Sequence, residues 1–270
     1  MAQYLAGGID QKIVAASIVN TLKVTEDYSA FFNADFVADV NAQRTNTAVV
    51  RIAPSVTLAT TTADRDGLLA RTAASGSYVE VALTADKYFK VAIDELDVQP
   101  EIQAQEIGAA GARAIAAYGN GVLIAAAVAD GTDNYLGETF GAGTTGDEVW
   151  SALVDCQAAY AENGLTEDNT LFVAPAVWAT LLKDVGVLRV SVDARVQAAN
   201  LLGVKRVIVA PITGALAVFA HSSGVVLARR LASVNTRQED VDITVIGRVK
   251  VGAKVLDATA VQVLLDGAGS

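Results

Sequence analysis

The chain has 270 residues, enough for one large or two small domains with a real core. Its 30 acidic residues outweigh 20 basic ones, a formal net charge of −10, which argues against a nucleic-acid-binding domain with its basic footprint. Hydrophobic residues make up 52% and aromatics only 6%, so many small side chains each add little burial, and partners are expected to supply part of the stability.

The single cysteine, Cys156, excludes an intrachain disulfide and suits a reducing cytoplasm. Residues Met1 to Asp10 lack a basic stretch followed by an apolar one, so no signal peptide is expected. The longest uninterrupted apolar run, Val122 to Ala129, is far below the roughly 20 residues of a membrane span, which gives the expectation of a soluble protein with no membrane partner.

Residues 1–43 read as an arm with two weak helical stripes. Ile9, Ile13, Ala16, Val19 and Leu22 form the first, and Phe31, Phe32, Phe36 and Val40 the second. Ordinary core helices would give the same pattern. Residues 44–93 change character. Ala48 to Ile52 and the β-branched Val56 to Thr62 read as strand, Asp64-Arg65-Asp66-Gly67 and Ser75-Gly76-Ser77 as turns, and Tyr78 to Leu83 and Lys87 to Ile93 as alternating strand. The expectation is one long antiparallel hairpin with a polar tip near 62–77. An exposed ribbon of that length invites pairing with another chain.

Asp94 to Glu101 supplies carboxylates and Pro100, which suit a first helical turn. A long helix follows, with Ile107, Gly111, Ile115, Tyr118 and Val122 on one face. Gly119-Asn120-Gly121 predicts a kink or break at about 1 kcal/mol per interior glycine, then continuation to Ala129. After a Gly-, Thr- and Asp-rich loop come a helix over Glu148 to Asn163, a strand at Leu171 to Ala174, a helix from Pro175 to Lys183 and a helix over Val196 to Leu202 capped by Gly203. Strands at Val207 to Ala210 and Ala215 to Ala220 complete a compact α/β lobe. Further strands are expected at Val225 to Ala228, Asp242 to Ile246, Arg248 to Val251 and Val261 to Leu265.

The sequence has no Lys or Arg between Arg113 and Lys183, a gap that holds nine acids from Asp130 to Asp168. A solvated acidic face explains this, and so does charge complementarity between neighbouring copies.

Little in the sequence points to chemistry. His221 and Cys156 fall in different elements without a motif around either, and His221 reads as an exposed loop histidine beside Ser222-Ser223-Gly224. Two such residues cannot complete a zinc site. Gly141-Ala142-Gly143-Thr144-Thr145-Gly146 fits G-x-G-x-x-G before a helix, the basis of an alternative reading as a small nucleotide-binding enzyme. Against it, Leu136 to Phe140 is a poor strand, and Asp147 and Glu148 stand where a phosphate would bind. Asp94/Glu95 and Asp64/Asp66 sit at turns or helix starts, where capping and solvation account for them. No catalytic, cofactor-binding or metal-binding residue is expected, and the chain reads as a non-enzyme.

The order of elements resembles the major capsid proteins of tailed bacteriophages with the Hong Kong 97-like fold. Residues Val79 to Asp97 resemble the returning hairpin strand that runs into the spine helix of that family. Leu171 to Lys183 is similar to its strand–Pro–helix segment, and Gly203 to Ala210 to the strand that follows. The resemblance covers essentially the whole chain and implies an α+β capsid fold. Its parts would be an N-terminal arm (1–43), an extended β-hairpin loop (44–93), a peripheral domain with a long spine helix (94–129 plus 224–270) and an α/β axial domain (130–223). It implies self-assembly through pentamers and hexamers into an icosahedral shell around double-stranded DNA, assembled in the host cytoplasm and retained in the virion. Scaffold, portal and decoration proteins are the further partners it implies. An acidic wall suits a container that confines DNA without gripping phosphate. An encapsulin-like nanocompartment shell is the alternative within the same fold.

Arg44, Arg65, Arg71, Asp94 and Glu95 are the candidate intersubunit contacts. Some family members crosslink subunits through a loop lysine; from Thr45 to Asp86 this chain has none, so no such crosslink is expected. The short arm gives the expectation that any scaffold is a separate protein.

Overall fold

The structure, a computed structural model, describes residues 14, 16–18, 47–51, 78–94, 100–141, 143–165, 168–239 and 242–267. In chain order the strands are β1 (Thr47–Arg51), β2 (Tyr78–Ala82), β3 (Ala85–Asp94), β4 (Thr132–Tyr135), β5 (Asn169–Val173), β6 (Arg206–Val209), β7 (Ala217–His221), β8 (Val225–Glu239), β9 (Asp242–Val255) and β10 (Val261–Leu265). The helices are α1 (Pro100–Asp130), α2 (Gly146–Glu162), α3 (Pro175–Asp184), α4 (Gly186–Arg189) and α5 (Ala194–Leu202).

Among the described residues the strands form three sheets. One holds five strands in the order β4-β10-β7-β5-β6, with β10–β4 and β5–β6 parallel and the two pairs to β7 antiparallel. A second has the order β3-β9-β8, antiparallel throughout, and β1–β2 is a separate antiparallel pair.

The central strands β10, β7 and β5 of the five-stranded sheet are buried on both faces, and strict alternation distributes their residues between two cores. Leu171, Val173, Ala217, Phe219 and Leu264 pack with the helices α2, α3 and α5. Their sequence neighbours Phe172, Val218, Ala220 and Val263 face the other way, into the core beneath α1. Both faces being apolar explains why these segments read as continuous hydrophobic runs.

Helix α1 is the wall shared by the two larger sheets. It packs along β9 and β8 and also reaches β7 and β10. Ile107, Ala112, Ile115, Leu123, Ile124 and Ala127 are buried on it, joined by Val14 and Ile18 from the N-terminal segment. The expected break at Gly119–Gly121 is absent: the helix runs through all 31 residues. Gly119 is buried within reach of Leu227, and burial on two sides outweighs the glycine propensity cost. The stretch Gln105–Asp130 is also long and apolar enough to cross a bilayer, which uninterrupted apolar runs did not reveal; here its buried side faces protein.

Four strand assignments differ from the sequence expectation, the first being β4, a strand at Thr132–Tyr135 where the composition predicts only loop. Only β2 returns along β1, in the register Thr47↔Ala82 to Arg51↔Tyr78. The segment 85–94, expected in the same hairpin, pairs instead with β9 from Ala85↔Val251 to Asp94↔Asp242. Period-two alternation identifies a strand but not its partner. β10 is inserted between β4 and β7, so the last strand joins the sheet built from 130–221 rather than the strands of 225–255. β8 also runs on to Glu239, well past the apolar Val225 to Ala228. Of the first arm stripe only Ala16 is described, and it is exposed, whereas Val14 and Ile18, which are not on that stripe, are buried; the other stripe residues and the expected tip of the hairpin lie outside the described residues.

Candidate functional site

The glycine-rich loop before α2 is the first test of chemistry. Thr144 Oγ1 accepts from the Gly141 N–H at 2.9 Å, and the Thr144 N–H donates to the Gly141 carbonyl at 3.2 Å. Thr145 is the N-cap of α2, and a capping box closes on it. The Thr145 N–H donates to Glu148 Oε2 at 2.7 Å, and the Glu148 N–H donates to Thr145 Oγ1 at 3.4 Å. The Gly146 N–H donates to Asp184 Oδ2 at 2.7 Å. Two carboxylates of the protein therefore occupy the position a phosphate would take at a helix N-terminus. The Thr145 N–H and hydroxyl hold the Glu148 carboxyl below the usual carboxylate range, keeping that charge in place. This arrangement caps a helix and offers no cradle to a nucleotide.

The cysteine and the histidine do not make a reactive couple. Cys156 lies on the buried side of α2 among Val149, Leu153 and Tyr160, and burial pushes its thiol up to about 12. His221 is the last residue of β7, not a loop residue, and its Nδ1 lies 2.7 Å from Ser223 Oγ, a local turn contact. Among the described residues no group of three His, Cys, Asp or Glu side chains could hold a metal ion.

What the fold does present is surfaces. The β1–β2 pair is fastened to the three-stranded sheet by Val81 and Leu83 packing on Val226 and Ala228. The backbone of Ala82 comes so close to Gly252 that a Cβ there would lie 2.1 Å from the Ala82 carbonyl oxygen. A pinned stem thus leads into the segment 52–77. Of the five candidate contact residues, Arg44, Arg65, Arg71 and Glu95 lie outside the described residues. Asp94 ends β3, opposite Asp242 in the ladder.

The acids of the gap are spread over the lobe: Asp168 pairs with Lys205 beside β6, while several others lie toward the opposite edge. Asp133 lies on β4, an edge strand, and Asp155 and Glu162 lie on the exposed face of α2, which packs over β10 and β7. At the other edge, α5 lies over β6. There the structure shows what the sequence expectation missed. Val187, Val190, Val192 and Val196 are all at least half exposed on α4, α5 and the turn between them. Val187, Val190 and Val192, separated by Arg189 and Ser191, follow no single helical face, the one signal that could have marked them.

No protein-family model matches the sequence, and no curated protein sequence does. Solved structures do match, along most of their length. One from Mycobacterium phage Che8 is 18% identical with a TM-score of 0.61, covering 88% of this chain and 91% of that one. The capsid structure of cyanophage P-SCSP1u matches at 14% identity and a TM-score of 0.60, over 83% of this chain and 84% of that one. This chain has a capsid-protein fold. A virus-like particle from Pyrococcus furiosus shares it, at 12% identity and a TM-score of 0.57, over 92% of this chain and 96% of that one. The capsid fold bears out the resemblance read from the order of elements, and the mixed α+β architecture with it.

Proposed function

We propose that this chain is the major capsid protein of a tailed phage, a subunit that self-assembles into an icosahedral shell around double-stranded DNA. The observation that carries the reading is the likeness to a phage structure and a phage capsid structure over 83% or more of each chain. The acidic balance and the inert Cys156 fit a structural role. In this reading residues 1–43 are the arm, 44–93 the extended loop, 94–129 with 224–270 the peripheral domain with α1 as its spine, and 130–223 the axial domain. β3 and β10 would then tie these parts together, since each pairs outside its own segment. Assembly would take place in the host cytoplasm, with portal, scaffold and decoration proteins as further partners.

Arg44, Arg65, Arg71, Asp94 and Glu95 serve in this reading as contacts to neighbouring subunits. Electron microscopy of the purified, concentrated protein tests the function: closed shells support it, and uniform small particles overturn it. Reversing the charge of Arg65 and Arg71 together should impair shell formation without unfolding the subunit, and normal assembly of that variant removes them as contacts. A ladder of covalent multimers on a denaturing gel would overturn the expectation that no lysine crosslink forms.

The match to the Pyrococcus furiosus particle favours a second reading, a nanocompartment shell that holds protein cargo. Shells purified from the native source separate the two: nuclease-protected genomic DNA marks one and a packaged protein the other.

A further inference from the structure

The two edges of the five-stranded sheet differ in charge and in apolar exposure. The edge at β6, covered by α5, presents Val190 at 83% exposure and Val192 fully exposed, with Val187 and Val196 beside them. Arg189 and Arg195, both exposed, flank these valines in sequence. Nearby Asp193 is engaged as the N-cap of α5, accepting from the N–H groups of Arg195 at 3.1 Å and Val196 at 3.3 Å. Toward the other edge, β4, the exposed face of α2 carries Asp155 and Glu162 around the exposed Val154, in a stretch with no basic residue at all.

Four exposed valines within ten residues on a folded subunit are an apolar concentration of the kind that marks a contact surface. β-Branched valines suit such a role because they lose little side-chain freedom on burial. The surface that fits them must be acidic at its rim and apolar at its centre, and a second copy of this chain carries one. The two patches belong to different elements of one subunit, so the contact between copies is head-to-tail. Repeated, such a contact closes into a ring.

We infer that the segment from Val187 to Val196 of one subunit docks on the exposed α2 face of the next. Arg189 and Arg195 meet Asp155 and Glu162, and the valines cover Val154. This contact rests on the shell reading and gives it an adhesive surface independent of the extended loop. Complementary charge fixes the direction of the ring and disfavours pairing of like edges.

Charge reversal tests it. Arg189→Glu with Arg195→Glu should abolish shells while circular dichroism and thermal unfolding of the subunit stay as in the wild type. Asp155→Lys with Glu162→Lys should do the same. The chain carrying all four substitutions should regain shells, because the two edges again match. A second measurement does not depend on that rescue: Val192→Cys combined with Asp155→Cys should give intersubunit disulfides on oxidation. Wild-type shells together with unimpaired assembly of both reversed pairs and no disulfide overturn the contact and leave the shell reading standing. A wild-type chain that forms no shell under any condition overturns both.

Discussion

Phe89 on β3 sits directly opposite Gly247 on β9, and its ring occupies the space that a side chain at 247 would fill. A Cβ on Gly247 would lie 2.1 Å from Phe89 Cε1, and one on Gly111 of α1 would lie 2.7 Å from Cζ of the same ring. Two glycines from two elements thus form a slot for one aromatic ring. The ring fixes the register of β3 on β9 and sets how closely α1 approaches the sheet.

The slot predicts asymmetric costs. Gly247→Ala forces the ring out and should destabilise the subunit by about 1–3 kcal/mol, the range for overpacking a filled site. In a Phe89→Leu background the same Gly247→Ala should cost much less, since the clashing ring is gone, so the two changes should couple strongly. Denaturant unfolding of the monomeric protein measures all three variants. Additive costs would show that the ring and the glycine do not share one space.

The same ladder carries an ion pair. Arg248 grips Asp86 with Nε at 2.8 Å from Oδ1 and 3.1 Å from Oδ2, and with Nη2 on Oδ2. Hydrogen bonding to Arg248 holds the Asp86 carboxyl below its ordinary value of 3.8. A carboxyl whose native value is depressed adds stability above its unfolded value and loses it as pH falls through the native one. The difference in stability between wild type and Asp86→Asn should therefore be full at neutral pH and close only in strongly acidic solution, below 3.8. Both groups are solvent-exposed, so the difference should be small and should shrink with added salt. A difference that persists unchanged at the acidic end would show that the pair is not its source.

Much of the lobe was legible in the sequence because its signals are local. Pro175 opens α3, and Gly203, at φ +65°, closes α5. The apolar runs at 171–173, 207–209 and 217–220 are all strand. What failed depended on partners distant in sequence. The alternation of Lys87 to Ile93 shows a strand but cannot tell β2 from β9 as its neighbour. Gly119 and Gly121 argue for a break until Leu227 and the sheets on either side of α1 are in place. Residues Arg229 to Glu239 are too polar to read as strand, yet pairing with β9 makes them one. The exposed valines from 187 to 192 leave only a weak trace in the sequence, because periodic patterns mark what is buried, and these are not.

The start of α2 gives a prediction about chemistry as well as stability. Thr145→Ala removes the hydroxyl that accepts from the Glu148 N–H and should cost about 1 kcal/mol, as other N-cap deletions do. Because Glu148 and Asp184 already occupy the N–H groups there, ATP, GTP or NAD at millimolar concentration should not raise the unfolding temperature of the wild type. A clear nucleotide-induced shift in the wild type, strengthened in Asp184→Ala where the Gly146 N–H is freed, would revive an anion site at this loop.

Cys156 gives the last prediction. The thiolate is the reactive form, and burial among the α2 core residues pushes the thiol up to about 12, with Asp155 adding in the same direction. Two barriers therefore act together, since the sulfur is neutral at physiological pH and closed off from solvent. The native protein should be inert to iodoacetamide or a disulfide reagent at pH 8 and should take up one equivalent when unfolded in guanidinium. Rapid labelling without denaturant would place the thiol outside the core. The labelling rate in partial denaturant should track the opening of the α2 core, because labelling requires that the helix leave β10 and β7, which carry Leu264 and Phe219.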